Sequence, residues 1–172
     1  MKAKQLRLDE NLVFRPSPSG DRFLYNVLKD LDINEHDSIL DIGCAKGSAI
    51  RMMNNFSFSR IDGLEISESL ANIAKSNFFK LKFNKTKIYN KDATEFKLYY
   101  NYYYLYNPFP SSVMENVIER INNANTKKEI KYIIYNNPFC NDVLLQNGFK
   151  KLKDYPDKWG NRIYLYNNEY IF

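Results

Sequence analysis

A glycine loop preceded by an acidic residue is the first place where the sequence could do chemistry. Residues 38–50 read SILDIGCAKGSAI, in which Asp41 lies in a short apolar run that Gly43 and Gly47 follow. The glycines let the backbone turn tightly and approach a ligand without interference from a Cβ atom. A pyrophosphate at this loop would meet the Asp41 carboxylate, and like charges close together in a partly desolvated crevice repel each other strongly. The loop therefore favours a cationic ligand over a phosphate.

Two acidic residues further along the chain complete a pattern suited to an adenosine ligand. Glu65 lies 24 positions beyond Asp41 at the end of a predicted strand, where a carboxylate can bind two ribose hydroxyls. Asp92 and Ala93 follow the next strand and can present a carboxylate and a backbone N–H to the adenine edge. S-adenosylmethionine is an adenosine ligand with an ammonium, a sulfonium and no phosphate. The pattern predicts this cofactor and disfavours NAD, because the loop also lacks the G-x-G-x-x-G sequence.

A second candidate site, for a molecule bound beside the cofactor, is the segment Asn107-Pro108-Phe109 after the fourth predicted strand. The residue before a proline is expected to be extended, so that the Asn107 side-chain oxygen could accept a hydrogen bond from an amine. Phe109 could cover a methylated ammonium by a cation–π contact of about 0.5–2 kcal/mol. A similar segment, residues 136–139, follows the next strand. Spacing from Asp92 favours Asn107 as the catalytic asparagine, and Asn136 is predicted to flank the substrate.

The elements that must position these residues alternate between strands and helices from residue 21 onwards. Short apolar runs predict parallel strands, and apolar positions at helical spacing predict the helices between them. After the last helix, two runs are separated only by a turn, which predicts an antiparallel hairpin. A capping box formed by Ser112 and Glu115 is predicted to open the fourth helix. The predicted strands are 38–42, 61–66, 87–90, 99–106, 131–135, 149–155 and 162–166, and the other predicted helices are 21–32, 46–55, 67–81 and 141–147.

These residues, in order and spacing, resemble the motifs of class I S-adenosylmethionine-dependent methyltransferases. The resemblance spans roughly residues 21–170 and implies a single-domain, Rossmann-like α/β fold. Its sheet would have seven strands, mostly parallel with a C-terminal antiparallel hairpin, and helices on both faces. One departure is Ala45, where many members of the family have glycine. The residues expected to bind the cofactor are Asp41, Gly43, Cys44, Ala45, Gly47, Glu65, Ile66, Asp92, Ala93 and Asn107, and those expected at the methyl transfer step are Asn107, Pro108 and Phe109.

Length and composition predict one domain of 172 residues, with an N-terminal extension or lid at residues 1–20 and the methyltransferase domain at 21–172. The proline-rich residues 14–20 could lie over the cofactor, which would let Arg15 and Ser17 contact the acceptor. The sequence shows no apolar targeting segment and no membrane span, so a cytoplasmic protein is expected. The two cysteines lack the spacing of a zinc site, and no metal is predicted.

The sequence does not identify the molecule that accepts the methyl group. Nitrogen is favoured, in a protein lysine, another amine or a small molecule, and the only histidine, His36, precedes the first strand and is too distant to serve as a base for oxygen. The alternatives are an O-methyltransferase acting on a glycan or small metabolite, and a non-catalytic binding subunit with the same fold. A net charge of +5 makes a nucleic acid partner possible, but the scattered lysines favour a solvated surface. The oligomeric state is not predicted.

Overall fold

Strands and helices alternate along the chain in the computed structural model, which describes residues 22–97, 99–124, 130–157 and 160–168. Within these residues the order of elements matches the sequence-based prediction. The elements are α1 (Arg22–Lys29), β1 (Ser38–Ile42), α2 (Ser48–Met53), β2 (Arg60–Leu64), α3 (Glu68–Lys80), β3 (Ile88–Tyr89), β4 (Tyr102–Tyr106), α4 (Ser111–Asn123), β5 (Tyr132–Asn136), α5 (Asn141–Gln146), β6 (Lys150–Pro156) and β7 (Arg162–Asn167).

The described strands form one seven-stranded sheet in the order β3-β2-β1-β4-β5-β7-β6. Strands β1 to β5 pair in parallel, and β7 is antiparallel to both of its neighbours, β5 and β6. The predicted fold class, including the C-terminal antiparallel hairpin, is therefore confirmed. The strand order reverses between β1 and β4, which creates a crevice at the carboxyl ends of these two strands.

The hydrophobic core lies on both faces of the sheet. Apolar residues of α1, α2 and α3 pack on one face, and those of α4 and α5 pack on the other. Side chains of the tyrosine-rich strand β4 alternate between the two faces. Tyr103 packs with α4 and α5, and Tyr102 and Tyr104 pack on the face covered by α1, α2 and α3. All three rings are at most 5% exposed, so they serve the core and are not available to stack on bases.

Several helix bounds differ from the prediction, including that of α1, which ends at Lys29 and not near Asp32. Two of the differences have local reasons. Helix α4 begins at Ser111 with Pro110 as its N-cap and has no side-chain capping bond, so the predicted capping box of Ser112 and Glu115 is wrong. Proline replaces it because its fixed φ and missing N–H suit the start of a helix. Helix α2 is shorter than predicted because the preceding loop holds Gly47 at φ +85°. None of the described helices is long and apolar enough to cross a membrane.

Candidate active site

The predicted site residues Asp41, Glu65, Asp92 and Asn107 lie at or just after the carboxyl ends of β1, β2, β3 and β4. Strand register keeps these ends level, because Ile42 pairs with Leu64 on one side and with Leu105 on the other. The carboxyl ends of the strands that meet at the reversal point are where open parallel sheets bind ligands. The sheet therefore brings together residues that are distant in sequence.

The glycine loop after β1 lies against the loop after β4. The backbone N–H groups of Gly43 and Cys44 both donate to the Leu64 carbonyl, at 2.8 and 3.0 Å, which anchors the turn to β2. Gly43 has φ +82°, and a Cβ atom on it would lie 3.1 Å from Cβ of Pro108. Glycine is needed here both for the left-handed backbone and for the close approach of the second loop.

Asp41 is a buried carboxyl group, 3% exposed, whose Oδ2 atom has no hydrogen-bond partner among the described residues. Burial, and then the nearby Glu65 carboxylate, raise the pKa of Asp41 to about 8. A buried polar atom of a native protein normally has a partner, which a ligand can supply. Asp41 is thus arranged to gain from a cationic group placed at the glycine loop.

Glu65 is held by backbone donors on either side. Its Oε2 accepts from the N–H of Ala45 at 2.9 Å and its Oε1 from the N–H of Ser67 at 2.8 Å. Burial raises the pKa of Glu65, while these two hydrogen bonds act in the opposite direction. Each carboxylate oxygen keeps a further lone pair, so Glu65 can still accept hydrogen bonds from ribose hydroxyls.

Ala45, the departure from glycine noted in the sequence, has a backbone conformation that glycine would adopt without strain. Its backbone has φ +48°, in the left-handed region that costs a residue with a Cβ atom roughly 1–2 kcal/mol. The same conformation directs its N–H to Glu65. The departure from glycine therefore introduces local strain without removing the contact between the glycine loop and β2.

The remaining predicted cofactor residues divide into exposed and buried positions. Ile66 is 42% exposed and offers an apolar surface next to Glu65, whereas Cys44 and Ala93 are 5% and 6% exposed. Burial raises the pKa of the Cys44 thiol well above its ordinary value, and a Cβ atom on Gly63 would lie 2.6 Å from its Sγ. The Cys44 side chain thus packs inward. Asp92 uses its Oδ1 to accept from the N–H and the hydroxyl of Thr94, at 2.7 and 2.8 Å.

Asn90 was not predicted from the sequence. Its side-chain Nδ2 donates to the carbonyls of Glu65 and Ile66, both at 2.9 Å, and so fixes the turn that follows β2. A polar residue at the end of the short strand β3 was the available signal, since the side chain there can reach the neighbouring loop. Asn90 therefore holds the backbone at Glu65 in place.

Asn107 lies at the end of β4 with φ +39°, so the prediction that proline would hold it extended is wrong. Asparagine adopts the left-handed conformation more readily than most residues, and the chain must turn sharply here into α4. The Tyr135 hydroxyl donates to Oδ1 of Asn107 at 3.4 Å and accepts from the N–H of Cys140 at 3.2 Å. Tyr135, which the sequence analysis did not single out, therefore connects Asn107 to β5 and to the start of α5.

Phe109 and Asn136, both predicted at the substrate site, are buried side chains. The Phe109 ring is 8% exposed and packs in the core beside α4, because it closes the hydrophobic cluster under the loop. Its cation–π contact with an acceptor has no support in this conformation. Asn136 is 5% exposed, and its Nδ2 donates to the Tyr104 hydroxyl at 3.0 Å. That it flanks the substrate stays a prediction. Phe139, in the same loop, is instead 79% exposed.

Two other expectations meet no test. Arg15 and Ser17 lie outside the described residues, as does the whole predicted extension at 1–20. Within the described part of the chain, no group of three or more His, Cys, Asp or Glu residues could hold a metal ion.

The residues at the crevice fit S-adenosylmethionine. The buried and unpaired Asp41 oxygen suits its positive charge, the two glycines give its methionine part close access to the backbone, and Glu65 can accept from its ribose. A phosphate would instead face two carboxyl groups, Asp41 and Glu65. The donor and acceptor set therefore matches a positively charged adenosine ligand.

Comparison with known proteins agrees with this geometry. Residues 20–138, more than half of the chain, match the family model described as ribosomal RNA adenine dimethylase. No curated protein sequence matches the chain significantly.

Several solved structures share the fold at low sequence identity. The protein yhhF of Escherichia coli is 15% identical, with 92% of each chain covered and a TM-score of 0.71. A SAM-dependent methyltransferase of Aquifex aeolicus is 12% identical, with 89% of this chain and 99% of that chain covered and a TM-score of 0.70. Magnesium protoporphyrin IX methyltransferase of Synechocystis with bound SAM is 15% identical, with 85% of this chain and 76% of that chain covered and a TM-score of 0.66.

The match over more than half of the chain, the seven-stranded sheet and the acidic crevice lead to one assignment. The protein belongs to the ribosomal RNA adenine dimethylase family of class I methyltransferases, and it is an enzyme whose cofactor is S-adenosylmethionine.

Proposed function

We propose that the enzyme methylates the exocyclic amino nitrogen of adenine in an RNA. The observation that carries the proposal is the side-chain oxygen of Asn107, held at the carboxyl end of β4 beside the glycine loop of the cofactor site. The description of the matching family, which names ribosomal RNA adenine, supports this substrate class. The sequence favoured nitrogen as the acceptor atom, and the family description supports the amino group of adenine as that nitrogen.

An amine acceptor needs no strong base, and the amide oxygen of Asn107 is sufficient to orient it. The exocyclic amine of adenine carries two N–H donors, and Asn107 Oδ1 is an acceptor that can receive one of them and so orient the nitrogen. Orientation of two reacting groups can contribute on the order of 7–11 kcal/mol to lowering a barrier. Pro108 packs against the Gly43 position and keeps the two loops in contact, which fixes the distance between the acceptor and cofactor sites.

The residues that would hold the cofactor are Asp41 at its positive charges, Glu65 at its ribose and Asp92 at its adenine. When bound, S-adenosylmethionine supplies a methyl group on a positively charged sulfur, which an amine can attack without prior deprotonation. Asp41 and Glu65 hold negative charge at this end of the crevice, and Asn107 aims the acceptor nitrogen. The N–C bond would form as the C–S bond breaks, S-adenosylhomocysteine would leave, and one N–H proton of the methylated amine would pass to solvent.

The test is a methylation assay with radiolabelled cofactor and unmodified RNA, followed by digestion to nucleosides and mass spectrometry. We expect N6-methylated adenosine, and Asn107→Ala should lower the rate by roughly 100- to 1000-fold, the scale on which one oriented polar contact acts in a transition state. Asn116→Ala, which alters an exposed asparagine on α4, is the matched control and should retain full activity. RNA in which purine riboside replaces adenosine lacks the amino group and should accept no label.

The opposite outcome is equally clear. Label found on protein lysines, on a small metabolite or on an oxygen atom, with none on RNA adenine, would overturn the proposal. The acceptor would then belong to one of the other classes that the sequence leaves open.

A further inference from the structure

The positive charge of the chain is concentrated in one third of its length. Residues 42–91 contain nine lysines and arginines and three acidic residues, a net charge of +6, whereas the whole chain carries +5. Two of those acids, Asp62 and Glu65, are buried, and all nine basic residues are exposed. The exposed charge of this segment is therefore almost purely positive.

This segment forms α2, β2, α3 and the edge strand β3, and six of its nine basic residues lie on the surface beside α3. Arg60 of β2 lies instead over the Tyr100 ring. Two grooves flank α3: one between α2 and α3, and one between α3 and β3. No acidic residue in the described part of the chain lines either groove. The basic residues along them are Lys46, Arg51, Lys75, Lys80, Lys82 and Lys87. Among the described residues none of these six forms an ion pair with an acidic side chain.

The first groove begins at the cofactor loop. Lys46 lies between Gly43 and Gly47, and its carbonyl accepts from Nδ2 of Asn77 on α3 at 3.3 Å. The amide side chains of Asn54, Asn55 and Asn77 line the same groove and can donate or accept hydrogen bonds. A strand lying in this groove would therefore reach the edge of the crevice that holds the acceptor.

Phe79 is the most exposed large apolar residue among those described, at 86%, and it lines the second groove between Lys75 and Lys82. An aromatic ring exposed among lysines is the arrangement by which proteins stack on the bases of single strands while binding their phosphates. An anionic membrane would require a broad apolar face, whereas here the apolar side chains of Phe79 and of Leu81, 45% exposed, are interrupted by Lys80 and Lys82.

We propose that the face formed by α2, α3 and β3, called the basic face, binds the sugar–phosphate backbone of the RNA substrate, with Phe79 stacking on an unpaired base. The proposal rests on the proposed function for its choice of RNA. Lys80 borders both grooves and is the central residue of the contact. The lysines contribute affinity that depends on salt, and Phe79 contributes affinity that depends little on salt.

The test measures binding of a fluorescein-labelled single-stranded RNA of about 20 nucleotides by anisotropy, between roughly 50 and 200 mM KCl. Lys80→Glu/Lys82→Glu should weaken binding at least about tenfold and reduce the slope of log K against log salt by about 1.4, or 0.7 for each lost contact. Phe79→Ala should weaken binding about 5- to 100-fold with little change in that slope.

The matched control is Lys150→Glu/Lys151→Glu, which makes the same charge change on β6 at the opposite edge of the sheet and should leave the affinity within about twofold. Equal losses in both double variants would overturn the proposal, because only net charge would then matter. Vesicles of phosphatidylserine and phosphatidylcholine form a second arm. Vesicle binding that is lost in Lys80→Glu/Lys82→Glu, with RNA binding unchanged, would assign the face to a membrane and also overturn it.

Methylation assays separate this proposal from the proposed function. RNA that is methylated equally well by the wild type and by Lys80→Glu/Lys82→Glu, with unchanged affinity, refutes the basic face alone. RNA that binds through the basic face but receives no methyl group on adenine refutes the acceptor alone. The substituted side chains are exposed, and circular dichroism melting curves check that each variant is folded.

Discussion

Asp41 shows at the scale of one residue how a buried charge can be kept for a ligand. Its pKa is raised to about 8, so the cofactor-free protein holds it largely protonated at neutral pH, and a cationic ligand favours the ionised form. Binding should therefore release a proton. Ala45 shows a different kind of local cost, because its backbone lies in a region where glycine would be unstrained.

The affinity for S-adenosylmethionine should rise with pH until about pH 8 and then level off, since Asp41 ionises as its raised pKa is passed. The rise should approach tenfold per pH unit well below that value. Asp41→Asn should weaken binding at pH 8 and flatten the profile, and Glu68→Gln, at an exposed acid on α3, is the control. Titration calorimetry between pH 6 and 9 measures this. A wild-type affinity independent of pH would contradict it.

Ala45→Gly should stabilise the fold by about 1 kcal/mol, because glycine removes the strain of a left-handed backbone. The comparison is Ala49→Gly in helix α2, which should be destabilising because that alanine is buried and helical. Urea denaturation of both variants gives the two free energies of unfolding. Destabilisation by Ala45→Gly would show that strain at this turn is not what the backbone angle indicates.

At the scale of elements, the site depends on loops that approach each other closely. Gly47 begins α2 at φ +85°, and a Cβ atom there would lie 2.2 Å from Cζ of Phe78 on α3. Asn107 is fixed in turn by Tyr135 of β5. The helices and strands thus set the site through a few contacts that small changes can disturb.

Gly47→Ala should destabilise the protein by about 2–4 kcal/mol, since it adds overlap with the Phe78 ring to the strain of a left-handed backbone. Gly148→Ala is the matched control, because Gly148 has φ +84° with nothing within 4 Å, and it should cost only about 1–2 kcal/mol. Adding Phe78→Leu to Gly47→Ala should recover part of the loss. Equal losses at the two glycines, measured by thermal or urea unfolding, would rule out the contact with Phe78.

Tyr135→Phe should lower kcat several-fold with little change in the KM for S-adenosylmethionine, because the hydroxyl positions Asn107 and has no hydrogen bond to Asp41, Glu65 or Asp92 among the described residues. Tyr166→Phe removes an equally buried hydroxyl, bonded to Asn141 at 2.8 Å, and has no contact with Asn107. It should lose stability without losing kcat. A fall in kcat of the same size in both variants would assign the effect to stability alone.

At the scale of the whole molecule, the cofactor crevice and the basic face share the half of the sheet formed by β1, β2 and β3. The strand order places the acidic crevice at the carboxyl ends and the exposed lysines along α3 and the edge strand. Opposite charges are therefore separated by burial: the acids lie inside the crevice, and the basic side chains lie outside on the surface.

Cofactor binding should stabilise the entire fold. S-adenosylhomocysteine at about 100 times its dissociation constant should add about 2.7 kcal/mol and raise Tm by several degrees. Glu65→Ala should need a higher ligand concentration for the same shift, because it removes the acceptor for the ribose and the partner of the Ala45 N–H. Calorimetric melting with increasing ligand measures this, and an unchanged Tm for the wild type at millimolar ligand would contradict it.

The sequence by itself determined the fold class, the order of elements and the cofactor. Periodicity and strand-end polar residues are local signals, and parallel strands bring their carboxyl ends to one edge wherever the helices pack. The left-handed turn at Asn107 was missed, because the sequence rule for residues before proline was outweighed by the need to turn into α4.

Only the tertiary structure decided which side chains face the crevice. The sequence predicted Phe109 at the methyl transfer step and Asn136 beside the substrate, but the Phe109 ring packs in the core and the Asn136 amide donates to the Tyr104 hydroxyl. Asn90 and Tyr135 act through contacts with residues 24 to 28 positions away, which no local pattern reveals. The proposed basic face depends on the same packing, because Lys46 and Arg51 border one groove with Lys80 only when α2 and α3 lie side by side.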